Sequence, residues 1–245
     1  ACSYSILTVT KKITDLILKE NPKFDFTNAF LNASSLKSNN ICQYLIDKKV
    51  QIDFTKCENV SSLCKLDFEL FEKIINKVDP NLRFMLYDSI YVAIRNKNIQ
   101  VIEFILKESP PKRFELFEAV LTNDIEVVDL ILKYNSQPSF INRIENNVTA
   151  LCHAVNKKNI EIIKRLLSVP GIDPSITNDS NGDILLMALR TLDVKVLDAI
   201  INFFENSDSQ FQFSLYFYHN YRFILLNSNN NDNKWEIIRR LAKAK

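Results

Sequence analysis

A doublet of apolar residues followed four positions later by a second doublet recurs along this chain, and it constrains the fold more than any other feature. The clearest copies are Val101-Ile102 with Ile105-Leu106, Val127-Val128 with Ile131-Leu132, Ile162-Ile163 with Leu166-Leu167, and Val196-Leu197 with Ile200-Ile201. Weaker copies are Ile13-Thr14 with Ile17-Leu18, Ile41-Cys42 with Leu45-Ile46, Leu70-Phe71 with Ile74-Ile75, and Ile237-Ile238 with Leu241-Ala242. Each copy puts one apolar stripe on one side of a helix. Taking the last residue of each copy as an anchor (18, 46, 75, 106, 132, 167, 201, 242), the successive spacings are 28, 29, 31, 26, 35, 34 and 41. A period near 33 predicts stacked helical units, each too small to bury its own apolar face alone.

Two further positions keep a fixed offset from these anchors. Thirteen residues before them stand Ser5, Ala33, Ser62, Ala93, Ala119, Ala154, Ala188 and, breaking the pattern, Asn229. A small side chain is expected wherever two helices approach closely enough that a larger one would clash. Eight residues before the anchors stand Thr10, Ser38, Asp67, Asn98, Asp124, Asn159, Asp193 and Lys234. All but the last suit a helix-to-helix turn, because they cap a following helix and Asn or Asp tolerates left-handed backbone. Helix pairs need a constant length, so the uneven spacing belongs to the connectors. Those at 133–148 and 168–183 are long enough for a projecting hairpin-like finger, whereas 107–113, with Pro110-Pro111, reads as a tight link.

One unit is stated almost without damage. Thr149 is placed to cap a short helix through Lys157, Asn159 closes the turn, and a second helix carries Ile160, Ile162, Ile163, Leu166 and Leu167 before Pro170-Gly171 ends it. Its segment Thr149-Ala150-Leu151-Cys152-His153-Ala154 resembles the Thr-Pro-Leu-His-x-Ala pattern of ankyrin repeats. Residues 166–174 resemble the Leu-Leu-x-x-Gly-Ala-Asp-x-Asn ending of the same family. The match is best over 146–201, and with only Gly171 and Gly182 available the chain uses Asn, Asp and Ser where that family uses Gly. Tetratricopeptide units want a large aromatic and a Gly in their first helix, and HEAT units run longer. The resemblance implies an all-α ankyrin-like solenoid of helix-turn-helix units with short β-hairpin-like fingers. About seven or eight units would form one domain over 1–245, best defined over 85–205, with a divergent capping unit at 206–245.

Composition excludes several classes of function. The 245 residues are 47% hydrophobic and 24% charged with a net charge of +2, so no strong field for nucleic acid or anionic lipid is expected. The longest apolar runs fall far short of the roughly 20 residues a spanning helix requires. Five scattered cysteines (Cys2, Cys42, Cys57, Cys64, Cys152) point to reduced thiols and an intracellular, cytoplasmic or nuclear, setting. Cys42 and Cys152 fall on packing positions, where a free thiol acts as a small hydrophobe. With two histidines, His153 and His219, and no phosphate-binding glycine loop, neither a catalytic constellation nor a metal or cofactor site is expected. Cys57 and Cys64 lack a second pair at zinc spacing, and 173–183 lacks the closing Glu of a calcium loop. The aromatic run 211–223 reads either as core of the last unit or as an exposed patch, and the amphipathic 234–245 segment, with Trp235, Ile237, Ile238 and Leu241, as an end cap.

The expected activity is therefore non-enzymatic binding of a partner protein by a monomeric scaffold. The alternative is a targeting or regulatory solenoid for an effector or larger enzyme whose catalytic part lies outside this chain. The resemblance implies a concave surface lined by first helices and fingers. It puts the candidate binding residues at Arg143 and Glu145 in one finger, Thr177 and Asp179 in the next, and His153, Asn156 and Lys157 on the helix between them, with Arg190 and Thr191 extending the row. Lys164 and Arg165 belong to the opposite, convex side.

Overall fold

The computed structural model of the chain describes residues 2–53, 60–77, 87–176, 184–206, 236–237 and 239–241. These fall into two compact units, Ala1–Pro110 and Pro111–Lys245. In the first, α1 (Cys2–Glu20) precedes the pair α2 (Thr27–Ser35) and α3 (Asn39–Asp47). A 3₁₀ helix (Val60–Lys65) then pairs with α4 (Phe68–Ile75), and α5 (Ile90–Arg95) with α6 (Ile99–Glu108). First members pack side by side, as do second members, and α1 lies against α3. In the second unit the pairs are α7 (Glu115–Leu121) with α8 (Ile125–Tyr134), α10 (Ala150–Asn156) with α11 (Ile160–Leu167), and α12 (Ile184–Arg190) with α13 (Val194–Asn206). The one-turn α9 (Pro138–Ile141) sits in the connector after α8. Again α7, α10 and α12 form one row and α8, α11 and α13 the other. Extended pairing among the described residues amounts to isolated bridges, Asp25 with Gln51 and Glu145 with Val148.

The doublets build the core. Ile162, Ile163, Leu166 and Leu167 are buried, as are their counterparts in α4, α6, α8 and α13, and each such side chain contributes about 1.5–3 kcal/mol. Ala33, Ser62, Ala93, Ala119, Ala154 and Ala188 are buried too, where neighbouring first helices leave no room for a longer side chain. At Ser62 the small position is polar, and its hydroxyl meets that of Ser34 at 2.7 Å, so the buried pair satisfies itself.

The turn chemistry differs from the sequence expectation by one position. The left-handed residue precedes the polar one: Lys37, Lys97, Asn123, Lys158 and Leu192, with φ of 53–57°, stand before Ser38, Asn98, Asp124, Asn159 and Asp193. The residue that follows stands at the N-cap, and the side chains of Asn98, Asp124 and Asn159 accept from the helix there, while Ser38 makes no such bond. Asp67 accepts from Leu70 N–H at 2.9 Å and Asn159 from Ile162 N–H at 3.0 Å, caps of a kind that contribute about 1 kcal/mol each. Two of these caps also tie pairs together. Asn98 donates to the Leu66 carbonyl at 2.7 Å, and Asn159 donates to Asn123 Oδ1 at 2.7 Å.

At the N-terminus the expected helix pair around Thr10 is absent, because Cys2–Glu20 is one uninterrupted helix. Thr10 returns its hydroxyl to the Ile6 carbonyl at 2.9 Å and so fits mid-helix instead of capping a turn. The helix is held to α3 by Lys48 with Asp15 at 2.7 Å, joined by the Tyr44 hydroxyl at 3.3 Å from Asp15. Near the other end, Ile237 is buried and Arg240 donates to Asp198 at 2.6 Å, with Asn202 and Glu205 also in reach. Trp235, Ile238 and the aromatic run 211–223 lie outside the described residues.

Candidate interaction face

In the 111–245 unit the first helices α7, α10 and α12 stand in a row, and equal offsets put equivalent positions in line. Leu121, Asn156 and Arg190 occupy one line and are exposed; Thr122, Lys157 and Thr191 occupy the next. The two threonines turn inward, with Thr122 donating to the Ala119 carbonyl at 2.7 Å and Thr191 to the Ala188 carbonyl at 2.6 Å. Thr191 thus completes the helix end, and its hydroxyl also accepts from Asp193 N–H at 3.2 Å. Asn156 and Lys157 present exposed side chains.

His153 stands one turn before Asn156 and is half-buried, its ring against that of Phe117 at 5.3 Å. Its Nε2 is enclosed and finds no hydrogen-bond partner. Burial, and after it the charge of Lys157, hold this imidazole below its ordinary pKa, so the neutral form is favoured at pH 7. The residue is therefore part of the packing between α7 and α10 as much as of the surface.

The finger between α8 and α10 is anchored before it projects. Phe140 and Ile141 are buried at its root. Asn142 donates to the Gly171 carbonyl at 2.8 Å and accepts from Asp173 N–H at 2.9 Å, which binds this connector to the next. The tip is a two-residue turn with Asn146 and Asn147 at φ of 48° and 65°, closed by reciprocal hydrogen bonds between Glu145 and Val148. Arg143 is exposed yet committed within the chain, donating to the Lys112 carbonyl at 2.7 Å with its guanidinium 5.0 Å from the Phe114 ring centre. It braces the finger. Glu145 is half-exposed beside the tip. Thr177 and Asp179 lie outside the described residues.

Sequence reasoning missed two exposed apolar side chains here, Leu121 on α7 and Ile144 in the finger. The available signal is at Leu121, an apolar letter on a line where α10 and α12 carry Asn156 and Arg190. On the opposite row, Arg165 pairs with Asp129 and so links α11 to α8. Glu161 and Lys164 are exposed.

The thiols of Cys42, Cys64 and Cys152 are free and buried. Burial pushes Cys42 and Cys64 up to about 12, which leaves them unreactive as nucleophiles. No cluster of His, Cys, Asp and Glu suited to a metal ion occurs among the described residues. No helix among them is long and apolar enough to cross a membrane.

Within each unit the paired helices stand in two rows, with a finger in the connector before α10, and this is the arrangement of an all-α helical repeat. The model for ankyrin repeats, in three copies, matches residues 90–178, so that segment is made of ankyrin repeats. The crystal structure of the human ASB11 ankyrin repeat domain is similar in fold, with a TM-score of 0.59 at 14% identity, covering 86% of this chain and 96% of that one. No curated protein matches the sequence. Ankyrin repeats are in general protein–protein interaction modules.

Proposed function

We propose that the chain is a non-enzymatic scaffold that binds a partner protein through the first-helix face and finger of residues 111–206. The observation that carries this reading is the line of exposed side chains, Leu121, Asn156 and Arg190, presented at equal offsets by three adjacent helices whose other faces are consumed by packing. Lys157 and Glu145 add charge beside it, and Ile144 and Leu121 supply the exposed apolar contacts from which a small number of residues draw most binding energy. Arg143 shapes the finger, His153 supports the helix beneath, and Thr191 closes the end of α12. On the sequence alone, Thr177 and Asp179 belong to the same set of candidates. An intracellular location goes with this reading, supported by the free thiols of Cys42, Cys64 and Cys152.

The test uses a photo-crosslinking amino acid placed at Asn156 and, separately, at Glu161 on the other row. A discrete adduct from position 156 alone is expected, and it should vanish when Leu121→Glu, Lys157→Glu and Arg190→Glu are combined. The Glu161→Lys and Lys164→Glu pair should leave it unchanged. Adducts from position 161 alone, or equal loss from both sets of substitutions, overturn the assignment.

A further inference from the structure

We propose that α1 carries a second binding site, a helical seam that docks an amphipathic helix of a partner protein whose flanks are acidic. On this helix Ile6, Val9, Ile13 and Leu16 are each more than half exposed, and they follow one another at spacings of three, four and three residues. That is the alternation of the two apolar positions of a heptad, with Ile6 and Ile13 at one and Val9 and Leu16 at the other, and the β-branched pair Ile6 and Ile13 with Leu16 matches the choice that favours two strands. The opposite side of the helix meets α3, where Thr14 is buried and Asp15 is held by Lys48 and Tyr44. The exposed stripe is therefore distinct from the face that fixes α1 in the fold.

Its dimensions and charge select the occupant. The stripe spans roughly 80° of the helix surface and about 15 Å of its length, taking 100° and 1.5 Å per residue. An apolar band that narrow is a helix–helix seam, narrower than the band of 100° or more that a helix uses to face a core. On one flank stand Lys12 and Lys19, both exposed, seven residues apart and so at the same heptad position. The acidic Asp15 is turned into its contact with Lys48, and the exposed Glu20 falls at the end of the seam, seven residues after Ile13, so the flank of Lys12 and Lys19 is itself basic. A second copy of the chain laid antiparallel would set these lysines against each other. A partner helix with Glu or Asp beside its own apolar seam meets them with opposite charge.

The probes are two fluorescently labelled 21-residue helical peptides, with Ile and Leu on the seam and either Glu or Lys on both flanks, titrated against the whole chain by anisotropy. The Glu-flanked peptide is expected to bind at least about tenfold more tightly than the Lys-flanked one, a difference of 1.4 kcal/mol, and to weaken as salt rises. Ile13→Asp should abolish binding while circular dichroism stays native, since Ile13 is exposed. The surface variant Lys12→Glu with Lys19→Glu should reverse the preference between the peptides and serves as the check that does not depend on Ile13. Absence of binding, or equal binding of both peptides, overturns the proposal. Light scattering that shows a dimer dissolved by Ile13→Asp assigns the seam to a second copy instead. Sedimentation with phosphatidylcholine–phosphatidylserine vesicles that Ile13→Asp abolishes assigns it to a lipid surface, and either result also overturns the proposal.

Discussion

The turn residues carry opposite conformational burdens at two places in the same repeat. Lys158 holds φ of 57°, a left-handed backbone that costs an L-residue with a Cβ roughly 1–2 kcal/mol. Gly171 holds φ of 83°, and a Cβ there would come within 2.7 Å of Pro138 Cγ. The two positions are therefore expected to respond in opposite senses. Lys158→Gly removes the strain and is opposed by the greater freedom glycine gives the unfolded chain, about 0.4–1 kcal/mol, so a net gain of up to about 1 kcal/mol follows. Gly171→Ala adds both left-handed strain and a clash with the ring that starts α9, and should cost about 2 kcal/mol or more. Urea midpoints measured side by side check this. A loss at Lys158→Gly, or neutrality at Gly171→Ala, would contradict the turn geometry.

At the scale of elements, the legible parts of the sequence are those where packing leaves only one kind of residue. The offset of Ala93, Ala119, Ala154 and Ala188 was readable because a close helix approach excludes anything larger, and all four are fully buried. The left-handed position was not, since Lys97, Lys158 and Leu192 advertise no turn, while the polar residue after each one does and is the cap. Thr10 misled for a related reason, because a hydroxyl that caps a helix serves equally well when bonded back to a carbonyl inside one. On the candidate face, Asn156, Lys157 and Arg190 are exposed, as polar side chains on a first helix are expected to be, whereas Leu121 and Ile144, on which no sequence expectation was placed, are also exposed. The close approach itself is tested by Ala154→Leu, which forces three extra carbons between α7, α10 and α12. It should destabilise by about 1–3 kcal/mol, whereas Lys158→Ala, on an exposed turn, should cost no more than the strain already present there. Denaturant midpoints unaffected by Ala154→Leu would show that these helices do not meet at that residue.

For the molecule as a whole, repeat architecture makes stability a sum of local terms, since each repeat touches only its neighbours along the chain. The buried thiols offer a readout of that behaviour at separate places. Cys42 and Cys64 lie in the unit Ala1–Pro110 and Cys152 in Pro111–Lys245. Modification of a buried thiol requires the structure around it to open. In native protein at neutral pH all three should react with an uncharged alkylating reagent far more slowly than in denaturant, and mass spectrometry of timed digests resolves each site. Overpacking by Ala154→Leu acts first on the repeats beside it, so it should accelerate labelling of Cys152 by about tenfold for each 1.4 kcal/mol lost, and that of Cys42 and Cys64 by less. Equal acceleration at all three would mean that the chain opens as one cooperative body. Rapid labelling of Cys152 in the unmodified protein would mean that α10 is not held in the core as its burial implies.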